Sequence, residues 1–404
     1  MSLTLLLDLD NTLLKNDIEA FLPHYLRAFA GQVRQQIDPD QFVQSLHAGT
    51  QAMVKNHRPD LTLREVFEAV FYPRLGIEPN LFQPLADQFY DQVFPTLRRL
   101  TEPSPDAVRF VEACLTRGYQ MAIATNPLFP RTAILQRLDW ANLPIESYPF
   151  EVVSSYETFH FAKPEPAYFA ELLARLGWPA GPAMVIGDDL KRDVAAGRRL
   201  GLPAFWIAQS GVAVPDGPVG PSASGGLSDI LPWSDSTPAE SLRPNYNQPE
   251  GLIAILYSTP AALDSLSRDL SEAVWSTIPQ PGEWGLTEIA CHLRDVEQEV
   301  NLTRVRRMLG ESNPFLSGED TDPWAEVRGY HYQDGPEALR QFIAARMELI
   351  ALLESMPSDC WQAPARHAIF GPTTLLEVVS ILAAHDRVHI QQVHQVMKAI
   401  LPQA

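Results

Sequence analysis

A chain of 404 residues, 46% of them hydrophobic, has enough apolar material for two separate cores. Its net charge of −18 excludes an electrostatic grip on nucleic acid, and its three cysteines, Cys114, Cys291 and Cys360, are too few and too scattered for a disulfide framework. No apolar run approaches a membrane span and Met1 to Leu7 lacks the basic start and the length of a signal peptide, so the expectation is a cytoplasmic protein with no membrane partner.

The first predicted element is a strand over Leu3 to Leu7, which delivers Asp8-Leu9-Asp10-Asn11-Thr12. Alternation along an extended chain presents Asp8 and Asp10 to one pocket at the strand's carboxyl end, and two carboxylates so close repel each other unless a cation joins them. One can then attack while the other moves protons, the division of labour that phosphoryl transfer through an aspartyl intermediate needs. About a hundred residues follow with apolar side chains three and four apart, as in Phe21-Leu22-Tyr25-Leu26-Phe29 and Val66-Phe67-Val70-Phe71, which predicts helices. Lys15, His24, Lys55 and Arg64 within them are candidates to meet a substrate's remote group, although each reads first as a solvated charge.

A second apolar run, Met121 to Ala124, ends in Thr125-Asn126. Lys163-Pro164 comes next, with His160 ahead of it reading as a surface histidine. A third run, Ala183 to Ile186, ends in Gly187-Asp188-Asp189, with Asp193 beyond. Asp8 suits the nucleophile, held beside Mg²⁺, and Asp10 the acid that protonates the leaving alcohol and then activates water. Thr125 and nearby amides can donate to phosphate oxygens, while Lys163 offsets the charge of Asp8 and the phosphate. Asp188 suits a direct metal ligand, with Asp189 and Asp193 as a further ligand or its outer support; Lys191-Arg192-Asp193 also reads as an exposed helix turn.

In order and spacing these four segments resemble the haloacid dehalogenase (HAD) superfamily. The resemblance implies a Rossmann-like α/β domain over 1–233, with core 1–15 and 101–233 and an inserted helical cap over about 16–100. It implies Asp8, Asp10, Thr125 and Lys163 as catalytic residues and Asn126 as a substrate contact. It places Asp8, Asp10, Asp188, Asp189 and Asp193 around Mg²⁺. Dehalogenases of the superfamily lack the second acid because a halide leaves without a proton, so Asp10 favours a phosphatase. Phosphomutase and ligand-sensing roles stay open. A cap that excludes water favours a small phosphorylated metabolite as substrate.

From Pro215 to Gly251, Pro and Gly take 12 of 37 positions, which marks a boundary with a semi-extended linker over 234–251. Everything after Thr259 reads as helices: Thr259-Pro260 to about Ser276, Leu286 to Leu309, Gly335-Pro336 to about Met356, and a last one capped by Thr373 and running to Ile400. Four amphipathic helices argue for an all-α four-helix bundle over 252–404. His385 and His389 interrupt the apolar stripe Val378, Leu382, Val393, Val396, and His292 holds the matching place between Ile289 and Val296. Three inward imidazoles could converge on one divalent ion and leave a position open. Asp295 and Glu299 read as alternative or supporting ligands, whereas Cys291, His331, His367 and His394 are left out of the set.

This histidine set, with Pro281-Gly282-Glu283-Trp284 and Ala383-Ala384-His385-Asp386, resembles the DinB/YfiT-like four-helix metal-binding proteins. That resemblance implies Zn²⁺, Ni²⁺ or another divalent metal on His292, His385 and His389. It implies either metal-dependent transfer to a low-molecular-weight thiol, with the HAD domain acting on a related metabolite, or a structural bundle, through which a homodimer can form.

Overall fold

The computed structural model describes residues 3–208, 214–215 and 217–401. The chain divides into two compact units, one running to Leu172 and resuming at Pro179–Asn245, the other comprising Leu173–Trp178 with Tyr246 onward. The division thus falls within the interval read as a linker, which is not extended throughout. Leu227–Ser236 is helical, Ala239–Leu242 is a 3₁₀ turn, and Pro249 already opens the next helix.

In the first unit, β1 (Thr4–Leu7), β2 (Gln120–Ile123), β3 (Val152–Val153), β4 (Ala183–Gly187), β5 (Ala204–Ile207) and β6 (Ala223–Gly225) form one parallel sheet in the order β3-β2-β1-β4-β5-β6. All four residues of β1 are buried, as expected of a strand covered on both faces. The strand order reverses between β1 and β4, and the crevice beyond the carboxyl ends of strands at such a point is where open α/β sheets bind ligands. Leu7 stands opposite both Ile123 and Ile186, so the residues that come after the three strands emerge side by side.

The cap is helical, as expected: α1 (Ile18–Val33), α2 (Pro39–Val54), α3 (Leu63–Leu75) and α4 (Pro79–Gln88), then the tighter and wider turns of Phe89–Leu100. Asp17 caps α1 through the amides of Glu19 and Ala20, and Thr62 with Glu65 forms a reciprocal capping box on α3. The cap's two stems, Leu14–Lys15 and Glu102–Pro103, pair as a short antiparallel ladder, which explains why the insertion begins and ends where it does. Phe29 stacks on Phe89 at 4.0 Å in an aromatic core that also holds Phe42, Phe71 and Phe82.

The second unit is built on four long helices, α5 (Pro249–Ser267), α6 (Leu286–Asp295, continuing through Val296–Asn301 and Leu302–Gly310), α7 (Gly335–Ser355) and α8 (Leu375–Ile400). The first begins ten residues before the expected Thr259, so Thr259 and Pro260 lie inside it and are buried. Burial of nearly every residue from Gly251 to Leu263 outweighs the break that proline signals. Pro260 cannot donate to the Leu256 carbonyl, and Arg346 Nη1 donates to that oxygen instead at 3.3 Å. The helices-only expectation is also corrected by a three-stranded sheet of Phe315–Leu316, Pro364–His367 and Gly371–Thr374, in which His367 ends a strand. Among the described residues, no helix is long and apolar enough to cross a membrane.

Candidate functional site

Asp8 leaves β1 with its amide donating to the Ile186 carbonyl at 2.9 Å, which locks it to the neighbouring strand. The chain then turns sharply through Asn11, whose φ of 58° lies in the left-handed region that asparagine tolerates. Lys163 Nζ donates to Asp8 Oδ1 at 2.7 Å and also to Asp193 Oδ1. Asp193 Oδ2 in turn accepts the Asp189 amide at 3.0 Å, and its carboxyl packs where a side chain on Gly187 would lie. Asp193 is buried although Lys191 in the same turn is exposed, so the alternative reading of Asp193 itself as a solvated residue does not hold.

Carboxylate oxygens of Asp8, Asp188 and Asp193 lie within 4.8 Å of one another. Burial pushes the Asp8 carboxyl up to about 7, with Lys163 pulling it down and Asp193 and Asp10 pushing it up. Burial, then the charges of Asp8 and Asp189, push Asp188 up to about 7 as well. Burial works against the charge on Lys163, but Asp193 and Asp8 overcome it and hold its pKa above the ordinary value. Three crowded oxygen donors, those of Asp8 and Asp193 buried and that of Asp188 half-buried, fit a small hard cation such as Mg²⁺, whose charge would reverse both upward shifts.

Asp10 and Asp189 are placed elsewhere. Asp10 accepts from Arg137 Nη1 at 2.5 Å and from Asn16 Nδ2 at 2.7 Å. Asp189 caps the next helical segment through the amides of Lys191 and Arg192 and pairs with Arg192 Nε at 2.7 Å, so its carboxylate is committed to the fold. Thr125 is buried after β2, its carbonyl accepting from Ser154 Oγ and Tyr168 OH at 2.8 Å each. Asn126 Oδ1 accepts the Lys163 amide at 3.2 Å, which ties the Lys163 loop to β2. His160 is fully buried, with Nδ1 2.8 Å from Glu171 Oε1, correcting its reading as a surface residue.

Arg137 was not singled out from the sequence. It lies in the helix Arg131–Trp140, 1% exposed, on the face that buries Ile134 and Leu138. An arginine three residues after Ile134 in a buried stripe was the available signal. A cavity of about 730 Å³ rises from Asp8, Asp10, Thr125 and Lys163 into the cap. Arg64 reaches it, while Lys15 instead pairs with Glu102 at the surface and His24 bonds to its own helix at Ala20.

In the second unit, His292 Nε2 lies 3.2 Å from His385 Nε2, which lies 3.1 Å from His389 Nε2. Burial pushes His292 down to about 3 and His389 down to about 4, in each case helped by the neighbouring histidines, and burial lowers His385 as well. The rings are therefore neutral, and three Nε2 atoms turned on one point have too few protons to bond each other. Such spacing fits an ion about 2.0–2.1 Å from each nitrogen. Gln392 Oε1, 2.9 Å from His389 Nδ1, can hold that ring's proton on the far side. Trp284 packs on the cluster with its ring 5.0 Å from that of His292.

Asp295 and Glu299 do not join the histidines: Arg328 bonds both carboxylates, and Asp295 also accepts from Arg294 and Tyr330. Cys291 is buried, and burial lifts its thiol to about 11. Beneath the cluster, Arg346 makes paired hydrogen bonds to Glu297 and to Asp386, all three fully buried.

Residues 3–201 match the family model of the haloacid dehalogenase-like hydrolases, and residues 255–393 that of the DinB superfamily. The chain is 27% identical over 163 residues to a phosphoglycolate phosphatase of Aquifex aeolicus, covering 36% of this chain and 74% of the relative. It is 27% identical over 188 residues to a glyceraldehyde 3-phosphate phosphatase of Methanopyrus kandleri, covering 45% and 73%. YfiT of Bacillus subtilis, a four-helix bundle, aligns at 20% identity and a TM-score of 0.35 over 40% of this chain and 91% of its own. Residues 3–201 are therefore similar to the haloacid dehalogenase-like hydrolases and residues 255–393 to the DinB superfamily.

Proposed function

We propose that the first unit is a Mg²⁺-dependent phosphatase that hydrolyses a small phosphorylated metabolite through an aspartyl phosphate on Asp8. The observation that carries this is the convergence of Asp8, Asp188, Asp193 and Lys163 at the strand-order reversal, below a cavity that rises into the cap. The phosphatases of Aquifex aeolicus and Methanopyrus kandleri support it, since each is named for a small phosphate monoester.

In this reading an Asp8 oxygen attacks phosphorus and the bond to the alcohol oxygen breaks. Asp10 gives that oxygen a proton, then takes one from the water that attacks the aspartyl phosphate, so that phosphate leaves and Asp8 is restored. Lys163 and the Thr125 hydroxyl hold the non-bridging oxygens. Mg²⁺, held by Asp8 and Asp188 with Asp193 beside them, would neutralise the charge that otherwise keeps phosphate away from Asp8. Arg137 and Asn16 hold Asp10 in place between its two proton transfers. Phosphate release from small monoesters in Mg²⁺ is the test. Asp8→Asn should abolish it while the far-ultraviolet spectrum stays unchanged, and retained turnover would remove Asp8 as nucleophile.

For the second unit, the reading is a divalent metal centre on His292, His385 and His389. Trp284 and Gln392, which touch His292 and His389, also line an open depression with Glu283, where a co-substrate would have room beside the centre. With Cys291 buried and protonated, a reacting thiol would come from a co-substrate. About one equivalent of Zn²⁺ or Ni²⁺ per purified chain, lost in His389→Ala, is the expected result. An equal metal content in the variant would count against the centre.

A further inference from the structure

We infer that the phosphatase site takes a monoester whose alcohol part is bulky and apolar and carries no second anionic group. The inference rests on the phosphatase reading and concerns what the cap admits. A volume of about 730 Å³ is in the range of pockets that enclose drug-sized ligands, far more than a two-carbon phosphate fills. The wall facing the catalytic carboxylates is apolar and aromatic, with Leu22, Leu26 and Phe29 from α1, Phe67 from α3 and Phe82 from α4. Tyr25 and Tyr90 add two more rings, but their hydroxyls bond each other at 2.9 Å and so have less to offer a polyol.

The charge balance points the same way. The cap and its surroundings bring Glu19, Glu68, Asp87, Asp91 and Glu157 to the cavity, against Arg64 and His47. Arg64 is already bonded to Glu68 at 2.7 Å. At the catalytic end, Lys163, Arg137 and Arg192 are each paired with an aspartate. A carboxylate or second phosphate at the far end of a substrate would therefore meet like charge and lose its hydration without gaining a cation. An aromatic or branched alkyl group would instead bury its surface against the rings.

The test compares kcat/KM for benzyl phosphate, 3-methylbutyl phosphate and 2-phenylethanolamine O-phosphate with that for phosphoglycolate and glyceraldehyde 3-phosphate, in Mg²⁺ with the full chain. The three bulky esters should lead by at least about tenfold, the scale at which an apolar pocket separates substrates. Their order shows whether the acidic lining also rewards an amine. A lead for phosphoglycolate or glyceraldehyde 3-phosphate, or equal values, would overturn the inference while leaving the phosphatase standing. No release from any ester would instead remove the phosphatase reading on which it rests. Leu22→Arg provides a second measurement, because Leu22 is 41% exposed and lies off the buried stripe of α1. The substitution should move the ratio about tenfold toward phosphoglycolate, and an unchanged ratio would show that this wall does not sort substrates.

Discussion

Asp10 is where a single pairing matters most. Its carboxylate is 16% exposed and tied to a guanidinium that is 1% exposed, so in the proposed reaction Arg137 would hold the proton carrier in place. Arg137→Met should lower kcat about a hundredfold for an alkyl phosphate, the scale of positioned proton transfer, with little change in KM. With 4-nitrophenyl phosphate, whose leaving group needs no proton, the loss should be much smaller. An equally deep loss with both would mean that Arg137 only supports the fold. At Cys291, burial lifts the thiol from 9.0 to about 11, so it stays protonated at pH 8 and should resist iodoacetamide in the native protein, while the more exposed Cys360 reacts. Mass mapping of the alkylated sites decides this. The acid pair and the three histidines were legible because strand and helix periods place them; His160 was not, because its partner Glu171 lies one helix away and only packing brings the two together.

Two elements carry the sites. A Cβ on Gly187, the last residue of β4, would overlap the carboxyl of Asp193. Gly187→Ala should therefore push Asp193 off Lys163 and cost most of the phosphatase activity. Full activity in a folded variant would show that the Lys163–Asp193 pair is dispensable. In the bundle, Arg346 joins α7 to Glu297 and to Asp386 of α8, and repairs the carbonyl that Pro260 leaves without a donor. Arg346→Met strands two buried carboxylates and should cost about 3–5 kcal/mol, whereas replacing Arg346, Glu297 and Asp386 together by apolar residues should recover much of that loss. Urea midpoints of the bundle transition for the two variants check the contrast. Proline misplaces the start of this helix when only the sequence is read, because local propensity counts the lost hydrogen bond but not a distant arginine that replaces it.

Across the whole molecule, the buried titratable groups of the two units give opposite responses to acid when no metal is bound. Asp8 and Asp188 are raised from 3.8 to about 7, so between those values the folded form holds more protons than the unfolded chain, and stability falls as pH rises toward 7. His292 and His389 are lowered from 6.5 to about 3 and about 4, so the unfolded chain holds more protons, and stability falls as pH drops below 6.5. Between pH 6.5 and 5 the histidine contribution is on the order of 3 kcal/mol. In chelator, acidification over this range should lower the bundle's melting transition less in His389→Gln than in the wild type, and should lower the first unit's more in Asp188→Asn than in the wild type. Identical pH slopes in variant and parent would refute either assignment.

Sequence alone determined the features that neighbours along the chain can set: a strand that ends in paired acids, four motifs in order, a set of amphipathic helices, and histidines one turn apart on an inward face. Those features depend on periods of two and of 3.6 residues, which any segment carries by itself. Only the tertiary structure decided which acids face the candidate cation site, because Asp189 is drawn off by its helix amides and Arg192 while Asp193 turns inward to Lys163. It also decided that Arg137 meets Asp10 across 127 positions and that Arg346 meets Glu297 across 49. Pairings of that span depend on how helices pack against a sheet or against one another, and no local pattern encodes that register.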